Sequence, residues 1–169
     1  MGDALGSTDG YELNGFLGAG YDWKMNSWTF GPVGTIQYTY IDFNSFTETG
    51  SLAPLHFPDQ NEDSVRSTVG ARLAYDWRQG NMIVRPEVRA SWQHEYADRA
   101  YAIDSQFASG AGDIFTVWGP HIGRDAALVS GGVAVQWNER VSTYVGYDGV
   151  LGRDNYNSHN VSGGFRVSF

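Results

Sequence analysis

Cysteine is absent from the 169 residues, which removes disulfides, thiol nucleophiles and thiolate metal sites. Its absence is compatible with an oxidising envelope. Lysine is nearly absent as well: Lys24 stands alone against ten arginines. Basic side chains number 11 against 19 acidic ones, for a formal net charge of −8, so the chain lacks the basic face that a nucleic-acid partner requires. No run of about 18 apolar residues occurs, so no transmembrane helix is expected. Met1–Gly10 lacks the basic start and apolar core of a secretion signal. Histidine is sparse, and His56, His94, His121 and His159 show no metal-ligand spacing.

What is present is alternation. Aromatics make up 15% and glycines number 22, a mix that suits strands with aromatic girdles and close-packed small residues. The chain, read as one domain over 1–169, divides into seven long period-two segments. The first, about Asp9–Lys24, places Tyr11, Leu13, Leu17, Ala19, Tyr21 and Trp23 on one face and Glu12, Asn14, Phe16, Gly18, Gly20 and Asp22 on the other. Such lengths exceed the soluble-strand norm of about five or six residues and match a tilted membrane strand of about 9–11 with overhang. The second, about Trp28–Phe46, contains Pro32, which predicts a bulge or a locally unpaired position. The third and fourth, about Ser64–Arg78 and Met82–Tyr96, alternate apolar residues with charged ones. Arg66, Arg72, Arg85, Glu87, Arg89 and Glu95 all fall on the polar register, as a watered lumen allows and a dry core does not. They predict an interior charge network, because charges away from bulk water must pair. The fifth, sixth and seventh run about Ala126–Asn138, Val141–Leu151 and His159–Phe169; either face of the sixth fits the outside.

Short turns follow segments one, three and five. Long connections follow two and four, at 48–63 and 97–125, with a medium polar loop at 152–158. Inside 97–125, Tyr101–Phe107 and Ile114–Trp118 flank the Gly-rich Ser109–Gly112, which predicts a projecting hairpin. This asymmetry is that of an outer-membrane barrel, with tight periplasmic turns and long outer loops. Tyr11, Tyr21, Trp23, Trp28, Trp77, Trp92 and Trp137 fall where interfacial girdles belong. The expected fold is all-β, an antiparallel up-and-down transmembrane β-barrel of about seven long strands plus a loop hairpin, with the lipid bilayer as its partner. A soluble carbohydrate-binding sandwich accommodates the aromatics but not such long strands with one-sided apolar faces.

The last strand ends the chain on an aromatic. Ser162, Gly164, Val167 and Phe169 make the pattern polar–x–Gly–x–x–apolar–x–aromatic, which resembles the C-terminal signal read by the outer-membrane barrel-assembly machinery. Other candidate sites reduce to structure. Gly15–Gly20 lies inside an alternating strand with no Lys-Ser/Thr after it, unlike a phosphate loop. Asp59, Asn61 and Asp63 open like a calcium loop, but Ser64 and Gly70 occupy the positions that need Gly and Glu. No Gly-x-Ser-x-Gly elbow occurs. No enzyme activity, cofactor or metal is expected.

Trp92-Gln-His-Glu-Tyr96, Gly123-Arg-Asp125, Gly132, Tyr144-Val-Gly-Tyr-Asp-Gly149, Ser158-His-Asn-Val-Ser162 and Phe169, in that order, resemble the autotransporter β-domain. The resemblance covers most of residues 64–169. It implies the translocator of a type V secretion system in a Gram-negative-type outer membrane: a twelve-stranded barrel, its lumen holding a helix that leads to an N-terminal passenger domain. Seven strands, or nine with the hairpin, fall short of twelve, so the chain reads as the C-terminal portion of such a barrel. An odd count also departs from the even-numbered bacterial norm, and the unpaired edges of an incomplete barrel invite self-association. The alternative is a small outer-membrane barrel acting as an adhesin or recognition protein through its outer loops.

Overall fold

The computed structural model describes residues 3–97, 102–121 and 123–169. Every regular element in it is a β-strand. In chain order these are β1 (Gly10–Gly20), β2 (Trp23–Met25), β3 (Trp28–Phe43), β4 (Phe46–Thr47), β5 (Leu55–Phe57), β6 (Gln60–Tyr75), β7 (Trp77–Gln79), β8 (Met82–Glu95), β9 (Ala102–Phe107), β10 (Phe115–Trp118), β11 (Asp125–Gln136), β12 (Val141–Arg153) and β13 (Tyr156–Val167). The main sheet is an antiparallel meander, β1-β3-β6-β8-β11-β12-β13, with β2 continuing β1 beside β3 and β7 continuing β6 beside β8.

Register carries the alternation across the whole sheet. Leu17 faces Ile36, Val69 faces Trp92, Val88 faces Gly131, Val133 faces Val145, and Tyr147 faces Val161. Directly opposed residues share a face, so these form one continuous apolar surface. The same register settles the sixth long strand: Val141, Thr143, Val145, Tyr147 and Gly149 lie on the apolar side. The other surface collects Gln37, Thr68, Gln93, Arg89, Ser130, Asp148 and Asn160.

Burial is inverted relative to a water-soluble domain. Among the described residues, the buried apolar side chains are Ala74 and Ala126, whereas Thr29, Ser91, Glu95 and Ser105 are buried polar ones. Val161 is 73% exposed and Phe165 80%. The chain exposes 11828 Å², against roughly 8,200 Å² for a compact monomer of 18.6 kDa. Exposed apolar patches normally cover a few hundred Å²; here an entire sheet face is apolar. A lipid phase accounts for that face. Along β1 and the residue after it, Tyr11 and Tyr21 bracket the apolar zone. Ten residues at about 3.3 Å each, tilted by about 40°, rise roughly 25 Å, the height of the apolar band of an outer-membrane barrel.

Tight turns close one end of the sheet. Asn26 and Gly80 adopt φ of 54° and 61° in the turns before β3 and β8, a region that glycine occupies freely and asparagine tolerates. Before β12, the Asn138 side-chain carbonyl accepts from the backbone N–H of Arg140 and Val141, each at 2.9 Å. By the usual polarity this is the periplasmic end.

Several sequence expectations need correction. The first long segment is broken at Tyr21–Asp22 and the third at Asp76. Pro32 lies opposite Tyr21 at the first break, and Pro86 lies opposite Tyr75, the residue before the second. A proline offers no N–H to the ladder, and here the register resumes unchanged beyond each gap, so these are interruptions without a bulge, the first still crossed by the Tyr21 N–H donating to the Pro32 carbonyl at 3.1 Å. The connection 48–63 is not a plain loop: β5 lies in it, and β6 begins at Gln60. The hairpin in the next long connection forms as β9 and β10, with Tyr101 outside the described residues, and β5 pairs with β9 to give a second sheet, β10-β9-β5-β4. The polar loop expected at 152–158 is instead a two-residue turn, Asp154–Asn155, with Asn155 at φ 57°.

Candidate functional site

The concave polar face of the main sheet is the feature that an apolar exterior does not require. The strands curl enough that Phe16 of β1 and Asn160 of β13, at opposite edges, line one cavity of 450 Å³ together with Gln37, Thr68, Arg89, Ser130 and Asp148. Strand alternation points these side chains inward while their neighbours face outward.

Three ion pairs fix the height of this surface. At the outer end, Arg66 Nε donates to Glu95 Oε2 at 2.8 Å. The same carboxylate accepts from Ser64 Oγ at 2.7 Å, Val65 N at 2.9 Å and Ala97 N at 3.2 Å. Glu95 is 4% exposed, and this full set of donors is what a buried charge needs. At the periplasmic end, Arg72 clamps Asp22 with two hydrogen bonds, Nε to Oδ1 at 2.9 Å and Nη2 to Oδ2. The clamp spans the full width of β3, because the residue between them in the row is Gly31. Gly31 has a second reason to lack a side chain: a Cβ there would stand 1.7 Å from the Tyr21 carbonyl oxygen. Arg85 Nε approaches Asp76 Oδ1 at 3.6 Å across the second ladder gap.

Of the six charges the sequence placed in one network, Arg66 and Glu95 are joined to each other. Arg72 and Arg85 instead take aspartates that the sequence reading had not assigned. Arg72 and Arg89 sit directly opposite one another, and Glu87 lies between Ala74 and Gly132. The missed partners had a signal: Tyr21-Asp22-Trp23-Lys24 repeats as Tyr75-Asp76-Trp77-Arg78, each at the periplasmic end of a descending strand.

The aromatics expected to form a girdle fall into two groups on the outward face. Trp23, Trp28, Trp77 and Trp137 lie near the tight-turn end with Tyr21; Tyr21 packs on Trp23 at 5.2 Å and Trp28 on Tyr75 at 4.7 Å between ring centroids. Tyr11 and Trp92 lie toward the opposite end, where Tyr11 meets Tyr40 at 5.9 Å. Polar tips there are satisfied: Tyr38 donates to Asp63 at 2.6 Å, and His94 Nδ1 lies 2.8 Å from Asp125 Oδ1. Interfacial rings with hydrogen-bonded tips suit a headgroup layer.

Ser162, Gly164, Val167 and Phe169 lie along and just past β13. Gly164 faces Tyr144, whose ring would meet a Cβ there at 2.7 Å; Val167 is the last strand residue, and Phe169 is fully exposed. Among the described residues, strand β13 pairs with β12 alone and β1 with β3 alone, so each has one open edge.

Among the described residues, no group of three or more His, Asp or Glu side chains could hold a metal ion. The arrangement offers a polar, water-accessible inner wall and a lipid-compatible outer one.

Comparison with known proteins agrees in kind. The model of the autotransporter β-domain family matches residues 1–148. Two proteins of Serratia marcescens, each named extracellular serine protease, are 26% and 27% identical over 156 residues. Those alignments cover 91% of this chain and 14% of each relative, so the chain corresponds to a small part of their length.

Proposed function

This chain belongs to the autotransporter β-domain family, an outer-membrane translocator barrel, and on that premise we propose that its curled sheet forms part of the wall of a conduit that exports an N-terminal passenger domain and then anchors it. The single observation that carries this reading is the opposition of faces. One side of every long strand suits lipid, and the other is lined by Gln37, Thr68, Arg89, Ser130 and Asp148 around a common cavity. A polar wall lets a hydrated polypeptide slide past without desolvating its peptide groups, which would cost several kcal/mol each in an apolar bore. Ser162, Gly164, Val167 and Phe169 are the segment that the barrel-assembly machinery reads, and the Arg66–Glu95, Arg72–Asp22 and Arg85–Asp76 pairs hold the wall in register. The wall performs no bond-making step; the work of export comes from folding and assembly.

The test is site-specific crosslinking in the full-length protein with the passenger arrested in transit. A photocrosslinker at Ser130, on the inner wall, should capture passenger segments, and one at Val129, its outward neighbour, should capture lipid instead. Equal capture of the passenger from both positions would remove the conduit reading.

A further inference from the structure

The C-terminal pattern occurs twice. Ser162-x-Gly164-x-x-Val167-x-Phe169 has a counterpart one hairpin earlier, Ser130-x-Gly132-x-x-Val135-x-Trp137. The copies lie on β11 and β13, which run the same way and flank β12. The register sets them two residues out of step on the same faces: Gly132 faces Gly146, which faces Ser162, and Val135 faces Thr143, which faces Phe165. Alternation alone explains why Val135 and Trp137 share one face and Ser130 and Gly132 the other. It does not explain the agreement of residue type at all four positions. The equivalent stretch of β6 and β7 shows the difference. It keeps the outward pair Tyr75 and Trp77, but has Gly70 and Arg72 where the motif has Ser and Gly.

Packing in the finished sheet does not account for the match either. A Cβ on Gly132 would meet the Val145 carbonyl oxygen at 2.9 Å, whereas one on Gly164 would meet the Tyr144 ring at 2.7 Å. Trp137 donates from Nε1 to Thr143 Oγ1 at 3.0 Å, whereas Phe169 is fully exposed. Equivalent residues thus answer to different neighbours in the fold, which points to a common reader outside it.

We infer that Ser130–Trp137 is a second recognition segment for the machinery that reads the C-terminal strand, a deepening that rests on the C-terminal reading given above. Recognition by strand addition reads backbone groups along one edge and alternate side chains through pockets. In the finished sheet both edges of β11 are occupied, by β8 and β12, while β13 keeps one edge open. The β11 copy is therefore readable only before its hairpin forms. It gives the assembling chain a hold upstream of its terminus, and closure of β11 onto β8 and β12 releases that hold.

The test uses labelled peptides spanning 128–138, 159–169 and, as control, 68–78, with binding to the purified barrel-assembly complex read by fluorescence anisotropy. The 128–138 peptide should bind, compete with 159–169, and lose about tenfold in affinity on Trp137→Ala, the loss of one buried aromatic anchor. Binding of 159–169 with 128–138 no better than 68–78 overturns the inference and leaves the C-terminal reading standing. Failure of both peptides overturns both. In the full-length protein, Trp137→Ala should slow assembly more than Trp77→Ala. Equal slowing would reduce Trp137 to an interfacial anchor and overturn the inference for the intact chain.

Discussion

Arg72 and Asp22 are joined side chain to side chain over Gly31, with β3 between them. Asp22 lies in the short break between β1 and β2 at the tight-turn end, outside the apolar band. The Arg72 hydrogen bonds hold its carboxyl below its ordinary value of 3.8, with partial burial opposing and the Arg72 charge adding to the effect. A depressed folded-state pKa stabilises above the unfolded value, and that contribution is lost as pH falls through the folded one. Acidification below about pH 4 should therefore weaken the native barrel, and Asp22→Asn should remove that part of the acid sensitivity while lowering the neutral-pH midpoint. Heat-modifiable gel mobility from neutral pH down to pH 2 measures both; an unchanged acid profile in the variant would contradict the assignment.

Gly31→Ala should be far more damaging than a surface Gly→Ala change. Its Cβ would collide with the Tyr21 carbonyl, forcing β1 and β2 away from β3 and opening the Arg72–Asp22 clamp. A loss of about 2–3 kcal/mol, the upper range for overpacking, is expected in urea unfolding of the detergent-solubilised barrel. Gly80→Ala strains a solvent-exposed turn instead and should cost less, about 1 kcal/mol.

Glu95 gathers four donors, three from β6 and one from Ala97, two residues past β8. Glu95→Ala strands Arg66 and two backbone N–H groups and should cost about 3 kcal/mol. Arg66, itself 36% exposed, can be solvated when its partner is gone, so Arg66→Ala should cost less, about 1 kcal/mol. Unfolding midpoints of the two variants give the comparison, and reversal of their order would show that Glu95 is not the hub.

Substitution by arginine separates the two faces. Val88→Arg puts a charge into lipid and should cost about 2–4 kcal/mol, if near mid-bilayer. Gln93→Arg, on the inner wall, should stay within about 0.5 kcal/mol. Equal penalties at the two sites would exchange or abolish the lumen assignment.

The second sheet ties together the two long outer connections, with Leu55 opposite Phe107. Since the chain has no cysteine, Leu55→Cys with Phe107→Cys should form a disulfide without background, the Cα separation of paired strands falling within the bonding range. A gel shift under mild oxidation reports it; no crosslink would mean that β5 and β9 do not pair in the assembled protein.

Much of this architecture was legible because a strand's faces follow from period two alone. The outward rows through Leu17, Val69, Val88 and Val161 and the inward charges could be read before any pairing was known. Alternation fixes height along a strand but not reach between strands. For that reason Arg72 was matched to glutamates rather than to Asp22, which lies two strands away and is reached only because the residue between them in the row is Gly31. Pro32 signalled its ladder gap. The elements β4 and β5 were missed because two or three residues, Phe46–Thr47 and Leu55–Phe57, are too few for alternation to register. The turn at Asp154–Asn155 was read as a loop because its flanks Asn157 and Ser158 are both polar and carry no alternation, although Ser158 is a strand residue on the inner wall.

The meander has seven long members, so the exposed edges of β1 and β13 belong to strands that descend in the same sense. Two copies inserted alike in one membrane would meet there with chains running in the same direction. That pairing is the weaker of the two kinds and foreign to even-numbered bacterial barrels. The edges are thus poor templates for each other, and this polarity mismatch discourages the sheet from propagating by adding itself. A row of antiparallel strands bridging the two edges must have an odd number of members. Any partner that completes this wall is selected by direction before a single side chain is compared.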